Sequence, residues 1–185
     1  LLSGSTLNGT DQAFAGPATW TAGTLNGAAG VSTTFSGGLA ISGTGGKSLT
    51  GGRTVNSGNT TWSGNTGNNN IFSMANGSVF NNTGTFTDSN AFNSAMSGSG
   101  TFNNNDTFNK ESATTTAIGV VFNNNSTVNV NAGVLLPGAG GTSTGTFNIA
   151  SGASLELRNG NHTLDNVTTS GAGTFQISTE NVGAD

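Results

Sequence analysis

Eight carboxylates and a single histidine are the residues from which this chain could build a reaction. Carboxylates gathered on one face do acid-base work on a glycosidic bond or hold a hard cation. Asp88, Asp106, Glu111, Asp165 and Glu180 stand on separate stretches, and Asp88 and Asp106 sit at or near Asn-rich corners, where Asp is an ordinary turn former. Only stacking of one repeat on the next would bring Asp88 within reach of Asp106. His162 has no cysteine and no second histidine beside which to hold zinc or complete a Ser-His-acid triad, so it reads as a turn or surface residue. The run Gly43-Thr44-Gly45-Gly46-Lys47-Ser48 imitates a phosphate loop, but Ile41 stands where the first glycine must be and Leu49-Thr50-Gly51-Gly52-Arg53 starts no helix. The expectation is a protein with no catalytic residues, no metal site and no cofactor.

The composition narrows the partners. Of 185 residues only 6% are charged, against roughly 25% in ordinary globular proteins, and the net charge is −4. Lys47, Arg53, Lys110 and Arg158 are the only fixed cations and form no stripe for phosphates, so no nucleic-acid partner is expected. No apolar stretch approaches the roughly eighteen residues of a membrane span, and no charged-then-apolar signal segment opens the chain. It begins at Leu1, which reads as a processed product or a segment of something longer. The low charge and the regular spacing of the apolar residues favour a folded polar β structure over a disordered tail.

The positioning elements are written in a repeat. Phe80-Asn81-Asn82-Thr83-Gly84-Thr85-Phe86 returns as Phe102-Asn103-Asn104-Asn105-Asp106-Thr107-Phe108 and as Phe122-Asn123-Asn124-Asn125-Ser126-Thr127-Val128, at spacings of 22 and 20 residues. A period near twenty signals a stacked coil whose units bury their apolar side only against their neighbours. Short alternating segments such as Ala18–Thr21, Leu39–Ile41, Thr60–Trp62, Thr127–Val130 and Ser154–Leu157 read as its strands, and no helical stripe survives beyond a turn. Phe102 and Phe108 face inward, with Asn103 to Asp106 as the corner between them. Phe80, Phe102 and Phe122 then stack in one column and Phe86, Phe108 and Val128 in a second, while Asn82, Asn104 and Asn124 form an amide ladder from unit to unit. Phe147 to Leu155 reads as a fourth copy with two extra corner residues, after a wide turn over Leu135 to Gly141. Trp20, Phe35, Val55 and Trp62 continue the pattern upstream at looser spacing. The fold expected is all-β: a right-handed parallel β-helix, or β-solenoid, of about eight or nine rungs of roughly 20 residues, a single domain over 1–185.

Two surface readings follow from the same repeat. Asn-x-Ser/Thr triplets start at Asn8, Asn59, Asn81, Asn105, Asn161 and Asn166, as composition alone would produce. Thr83, Thr85, Thr101 and Thr107 recur with the rungs as in a flat ice-binding face, but such a face needs a Thr-x-Thr array that persists over many coils and here Asn replaces Thr freely.

Gly100-Thr101-Phe102-Asn103, its echo Gly145-Thr146-Phe147-Asn148 and Val121-Phe122-Asn123-Asn124 between them carry a resemblance to the β-helical shafts of bacterial secreted surface proteins, the filamentous-haemagglutinin-type exoproteins and autotransporter passengers. It covers residues 50 to 178 best. It implies export, an extracellular or cell-surface location, and adhesion or scaffolding with other cell-surface molecules, glycans or copies of the chain as partners. Neither the amino-terminal secretion motif of the haemagglutinin group nor a carboxy-terminal membrane barrel is present in the sequence. The alternatives are a filament subunit that stacks head to tail through open coil ends and, disfavoured by the scarcity of acids, a polysaccharide-active β-helix enzyme.

Overall fold

The computed structural model describes residues 2–64 and 70–178. Within them there is no helix: parallel strands stack in about 8 turns of about 21 residues, a β-solenoid. Each turn contributes three short strands, and equivalent strands stack into three columns. The first column holds β1 (Thr6–Leu7), β4 (Gly23–Asn26), β7 (Lys47–Thr50), β10 (Asn70–Met74), the first part of β13 (Ser94–Asn104) and of β15 (Thr115–Asn124), then β17 (Val134–Pro137), β20 (Ser154–Arg158) and β23 (Thr174–Ser178). The second holds β2 (Gln12–Phe14), β5 (Ser32–Phe35), β8 (Thr54–Ser57), β11 (Val79–Asn82), the rest of β13 and β15, β18 (Gly141–Ser143) and β21 (His162–Leu164). The third is a separate 8-stranded sheet of β3 (Ala18–Trp20), β6 (Leu39–Ile41), β9 (Thr60–Trp62), β12 (Thr85–Asp88), β14 (Thr107–Lys110), β16 (Thr127–Val130), β19 (Thr146–Ile149) and β22 (Thr168–Ser170).

Strand geometry sends alternate side chains to opposite faces, and the sequence obeys this within each strand. In β12, β14, β16 and β19 the first and third residues are half-buried and the second and fourth buried. Because the strands are short, the chain must turn twice or three times per coil, and glycine makes the sharpest bends available. Gly98 shows why: its φ is +113°, and a Cβ there would stand 2.1 Å from the Met74 carbonyl oxygen of the coil above. That bend, with the register shift between Ser97 and Thr101, lets β13 pass from the first column to the second without a break.

The core is columnar. Phe80, Phe102 and Phe122 share one row, with rings stacked at 5.3 and 5.7 Å, and Phe86 and Phe108 share the facing row at 5.1 Å. The two stacks interlock edge to face: Phe102 meets Phe86 at 5.2 Å and Phe108 at 5.9 Å. Burying each ring stabilises by about 1.5–3 kcal/mol, with about 0.5–1.5 kcal/mol more per favourable aromatic pair.

Three sequence expectations need correction. The corner after Phe102 is shorter than Asn103 to Asp106, because β13 runs through Asn104 and only Asn105 and Asp106 bend. Leu135 to Gly141 is not a wide turn. Val134–Pro137 is a strand with Leu135 pointing inward, and Pro137 is tolerated at its end because pairing with β20 stops at Leu135. Phe147 does not continue the Phe122 row. It pairs with Val128 in the third column, while β18 follows Asn124 with Ser143 in the second. Gly-Thr-Phe-Asn thus serves the second column at residues 100–103 and the third at 145–148, since both columns ask for the same bend and the same in-out alternation.

Candidate functional site

The outer faces carry the most regular chemistry of the molecule. On the 8-stranded sheet, Thr85, Thr107, Thr127, Thr146 and Thr168 fall in one register row, an unbroken line of hydroxyls over five coils. Beside it run Thr61, Thr87, Asn109, Asn129, Asn148 and Ser170. Asn129 Nδ2 donates to Asn109 Oδ1 and Asn148 Nδ2 to Asn129 Oδ1, both at 2.8 Å, and Ser170 Oγ donates to Asn148 Oδ1 at 2.6 Å. The second column has its own ladder. Asn81 donates to Asn56, Asn103 to Asn81 and Asn123 to Asn103, each at 2.8 Å. A strand spacing of about 4.8 Å suits side-chain amides: each reaches its neighbour without leaving its row, so the ladders hold the outer surface rigid. No charged residue stands in any of these rows.

Inside, the second-column row reads Phe35, Ser57, Asn82, Asn104, Asn124, Ser143, Leu164. Asn82, Asn104 and Asn124 are fully buried, and Nδ2 donates from Asn82 to Asn104 at 2.8 Å and from Asn104 to Asn124 at 2.9 Å. The second amide proton reaches a corner carbonyl of the next coil, Thr107 O from Asn82 and Thr127 O from Asn104, at 2.9 and 2.8 Å. Burial demands this saturation, since an unpaired amide would cost its full desolvation.

Buried charge is the second notable feature. Lys47, Arg53, Asp88 and Lys110 are at most 1% exposed. Asp88 and Lys110 are register partners on β12 and β14. Asp88 Oδ1 accepts from Asn90 Nδ2 at 2.7 Å and from Asn90 N at 3.2 Å, and Oδ2 accepts from Thr116 Oγ1 at 2.5 Å. Lys110 Nζ donates to the carbonyl of Ser112 and, at 2.6 Å, to Ser112 Oγ. Ser112 Oγ meets Thr114 Oγ1 at 2.9 Å, and Thr114 Oγ1 donates to Asn90 O at 3.1 Å, so hydrogen bonds lead unbroken from carboxylate to ammonium. Burial pushes the Lys110 ammonium below its ordinary pKa, and the charges of Asp88 and Glu111 act against that push.

At the amino-terminal end Arg53 plays a similar part. Its guanidinium donates to Asn26 O at 2.9 Å, Gln12 Oε1 at 3.0 Å, Gly9 O at 2.7 Å and the Thr33 hydroxyl, tying the two preceding coils together. Gly27 leaves room for it, because a Cβ there would stand 2.6 Å from Arg53 Nε. Lys47 Nζ donates to Gly43 O at 2.9 Å, and burial lowers its pKa. Near the other end Arg158 Nη2 donates to Glu156 Oε2 at 2.8 Å, which holds the glutamate below its ordinary pKa and raises the arginine.

The acids named from sequence are not brought together. Asp88 is buried opposite Lys110, where alternation two residues after inward Phe86 puts it, and Asp106 is exposed in the bend beneath Gly84. Glu111 and Asp165 are exposed, Glu180 lies outside the described residues, and His162 meets the Arg158 carbonyl at 3.2 Å. Thr85 and Thr107 share a row, whereas Thr101 lies in the other sheet and Thr83 in a corner. Among the described residues no three His, Cys, Asp or Glu cluster as metal ligands. The outer ladders went unread in the sequence, although Asn81, Asn103 and Asn123 keep the same spacing as the phenylalanines beside them.

These features define a repeat protein of the parallel β-solenoid class. No family model, curated protein or solved structure matches the chain.

Proposed function

We propose that the chain is a non-catalytic structural shaft that works outside the cell, offering its uncharged Thr, Asn and Ser rows to cell-surface molecules or glycans for adhesion or scaffolding. The observation that carries this reading is the five-coil hydroxyl row flanked by amide ladders on the 8-stranded sheet. A flat, rigid and repeated surface multiplies weak contacts along its length, which is how a polar face without an anchoring aromatic gains avidity. Buried carboxylates support a structural part too, since Asp88 is saturated by hydrogen bonds and faces no opening. The test is retention of particles coated with the chain on cells and on neutral glycan surfaces. Thr107→Glu with Thr127→Glu should abolish retention without unfolding the protein; equal retention of parent and variant defeats the reading, and release of sugar ends from a polysaccharide would instead favour an enzyme.

A second reading is a subunit that stacks head to tail, and the apolar rows that reach the end coils suit it as they would suit further coils of the same chain. Phe14 and Ile177 occupy inward rows yet are 38% and 65% exposed, and an apolar opening of about 470 Å³ lined by Leu2, Leu7, Phe14, Trp20 and Leu25 lies at the amino-terminal end. A coil of the same kind would cover either end. Sedimentation separates the two readings: growth of particle size with concentration supports stacking, and a constant monomer refutes it.

A further inference from the structure

The central coils are nearly interchangeable, and that is a hazard. Phe80-Asn81-Asn82, Phe102-Asn103-Asn104 and Phe122-Asn123-Asn124 present the same side chains to the same rows. Residues 122–130 could pack on 80–88 with the middle coil looped out and still stack phenylalanine on phenylalanine and asparagine on asparagine. Repetitive strands slip in this way unless something specifies their order.

Within these segments one inward position differs in charge from coil to coil. Two residues after Phe86, Phe108 and Val128, the third-column row holds Asp88, Lys110 and Val130, with Trp62 above. We infer that Asp88 and Lys110 form a register key, a buried pair whose task is to make the native order of coils the only one that leaves no charge unpaired. In the native order the carboxylate and ammonium lie on adjacent strands and are joined through Asn90, Thr114 and Ser112. In the slipped order Asp88 lies beside Val130 in the same row and Lys110 leaves with the loop. A buried charge that has lost its partner is strongly destabilising, whereas the intact pair adds little over well-packed apolar residues. The pair therefore acts through discrimination between orders. Glu111, the other charged group acting on Lys110, is exposed and would follow Lys110 into either order.

The chain has no cysteine, so engineered pairs report the order directly. Thr85→Cys with Thr107→Cys lie one strand spacing apart, about 4.8 Å, within disulfide reach. Thr85→Cys with Thr127→Cys are two spacings apart and join only if the middle coil is skipped. After refolding under oxidising conditions, peptide mapping of the monomer should find the 85–107 link and almost none of 85–127. Asp88→Val with Lys110→Met should raise the 85–127 product about tenfold or more, while the exchanged pair Asp88→Lys with Lys110→Asp should not. Val130→Lys, which gives the third coil a cation of its own, should also raise it, and this arm stands if the charge-free variant fails to refold. A charge-free variant as clean as the parent, an exchanged pair as slipped as the charge-free one, or an unaffected Val130→Lys would each overturn the inference.

Discussion

The central coils and the amino-terminal coils solve the same stacking problem in opposite ways. Between residues 80 and 124 the main inward rows repeat one residue type: ring on ring, amide on amide. Between residues 6 and 62 the corresponding rows are mixed, with Gln12, Thr33 and Val55 above Phe80, and Ala18, Leu39 and Thr60 above Phe86. There a single arginine spans three coils in place of a ladder. Like-on-like stacking spreads stability evenly along the rod; a mixed stack concentrates it at one residue.

The contrast should be sharpest for the rings. Phe102→Ala removes a side chain that stacks on Phe80 and Phe122 and meets Phe86 and Phe108 edge-on, so a loss of about 4 kcal/mol is expected in denaturant titration. Val55→Ala in the same row should lose about half as much. If the two losses were equal, the columns would contribute no more than ordinary burial. Next comes Arg53→Met, expected to cost about 3 kcal/mol by removing the guanidinium donors to Gly9 O, Asn26 O and Gln12 Oε1. Hydrogen exchange should speed over residues 9–33 and stay unchanged past residue 100. Arg53→Lys should not rescue it, because an ammonium cannot reproduce the planar fork.

A smaller difference separates the inner and outer amides. Asn104→Ala should cost about 2 kcal/mol by taking the side-chain donor from the Thr127 carbonyl and the acceptor from one of the two Asn82 amide protons in the dry interior, while solvent-reached Asn103→Ala should cost about 0.5 kcal/mol or less. The smallest effect is that of pH. Lys47 and Lys110 have folded pKa values lowered by burial, so the unfolded chain binds more protons than the folded one below the ordinary lysine value of 10.5. Stability should therefore rise with pH through that alkaline window, which no tyrosine or cysteine complicates in this chain. Lys47→Met with Lys110→Met should flatten the rise of melting temperature with pH. Glu156 works on the acid side: its pKa is lowered, so its contribution is present above 4.5 and fades as pH falls through the folded value.

The legible parts of the fold were those written as exact repetition. The spacing of Phe80, Phe102 and Phe122 signalled the coil, and in the structure Asn82, Asn104 and Asn124 are joined by their amides. The destination of Phe147 was illegible, because two columns demand one local pattern and only long-range register separates them. Asp88 was misread for another reason: proximity to an Asn-rich turn outweighed the alternation that carries every second residue of β12 inward. Arg53 could not be placed at all, since its acceptors are mostly backbone carbonyls up to 44 residues away, and carbonyls leave no mark on residue identity.

Folding three of the four cations into the interior, and pairing the fourth, alters how these rods meet one another in solution. What remains exposed among the described ionisable side chains is Asp11, Asp106, Glu111 and Asp165, all of one sign. Neighbouring rods then repel sideways over about 30 Å at 0.01 M salt, but over only about 3 Å at 1 M. Raising the salt should therefore weaken the lateral repulsion between copies of the chain.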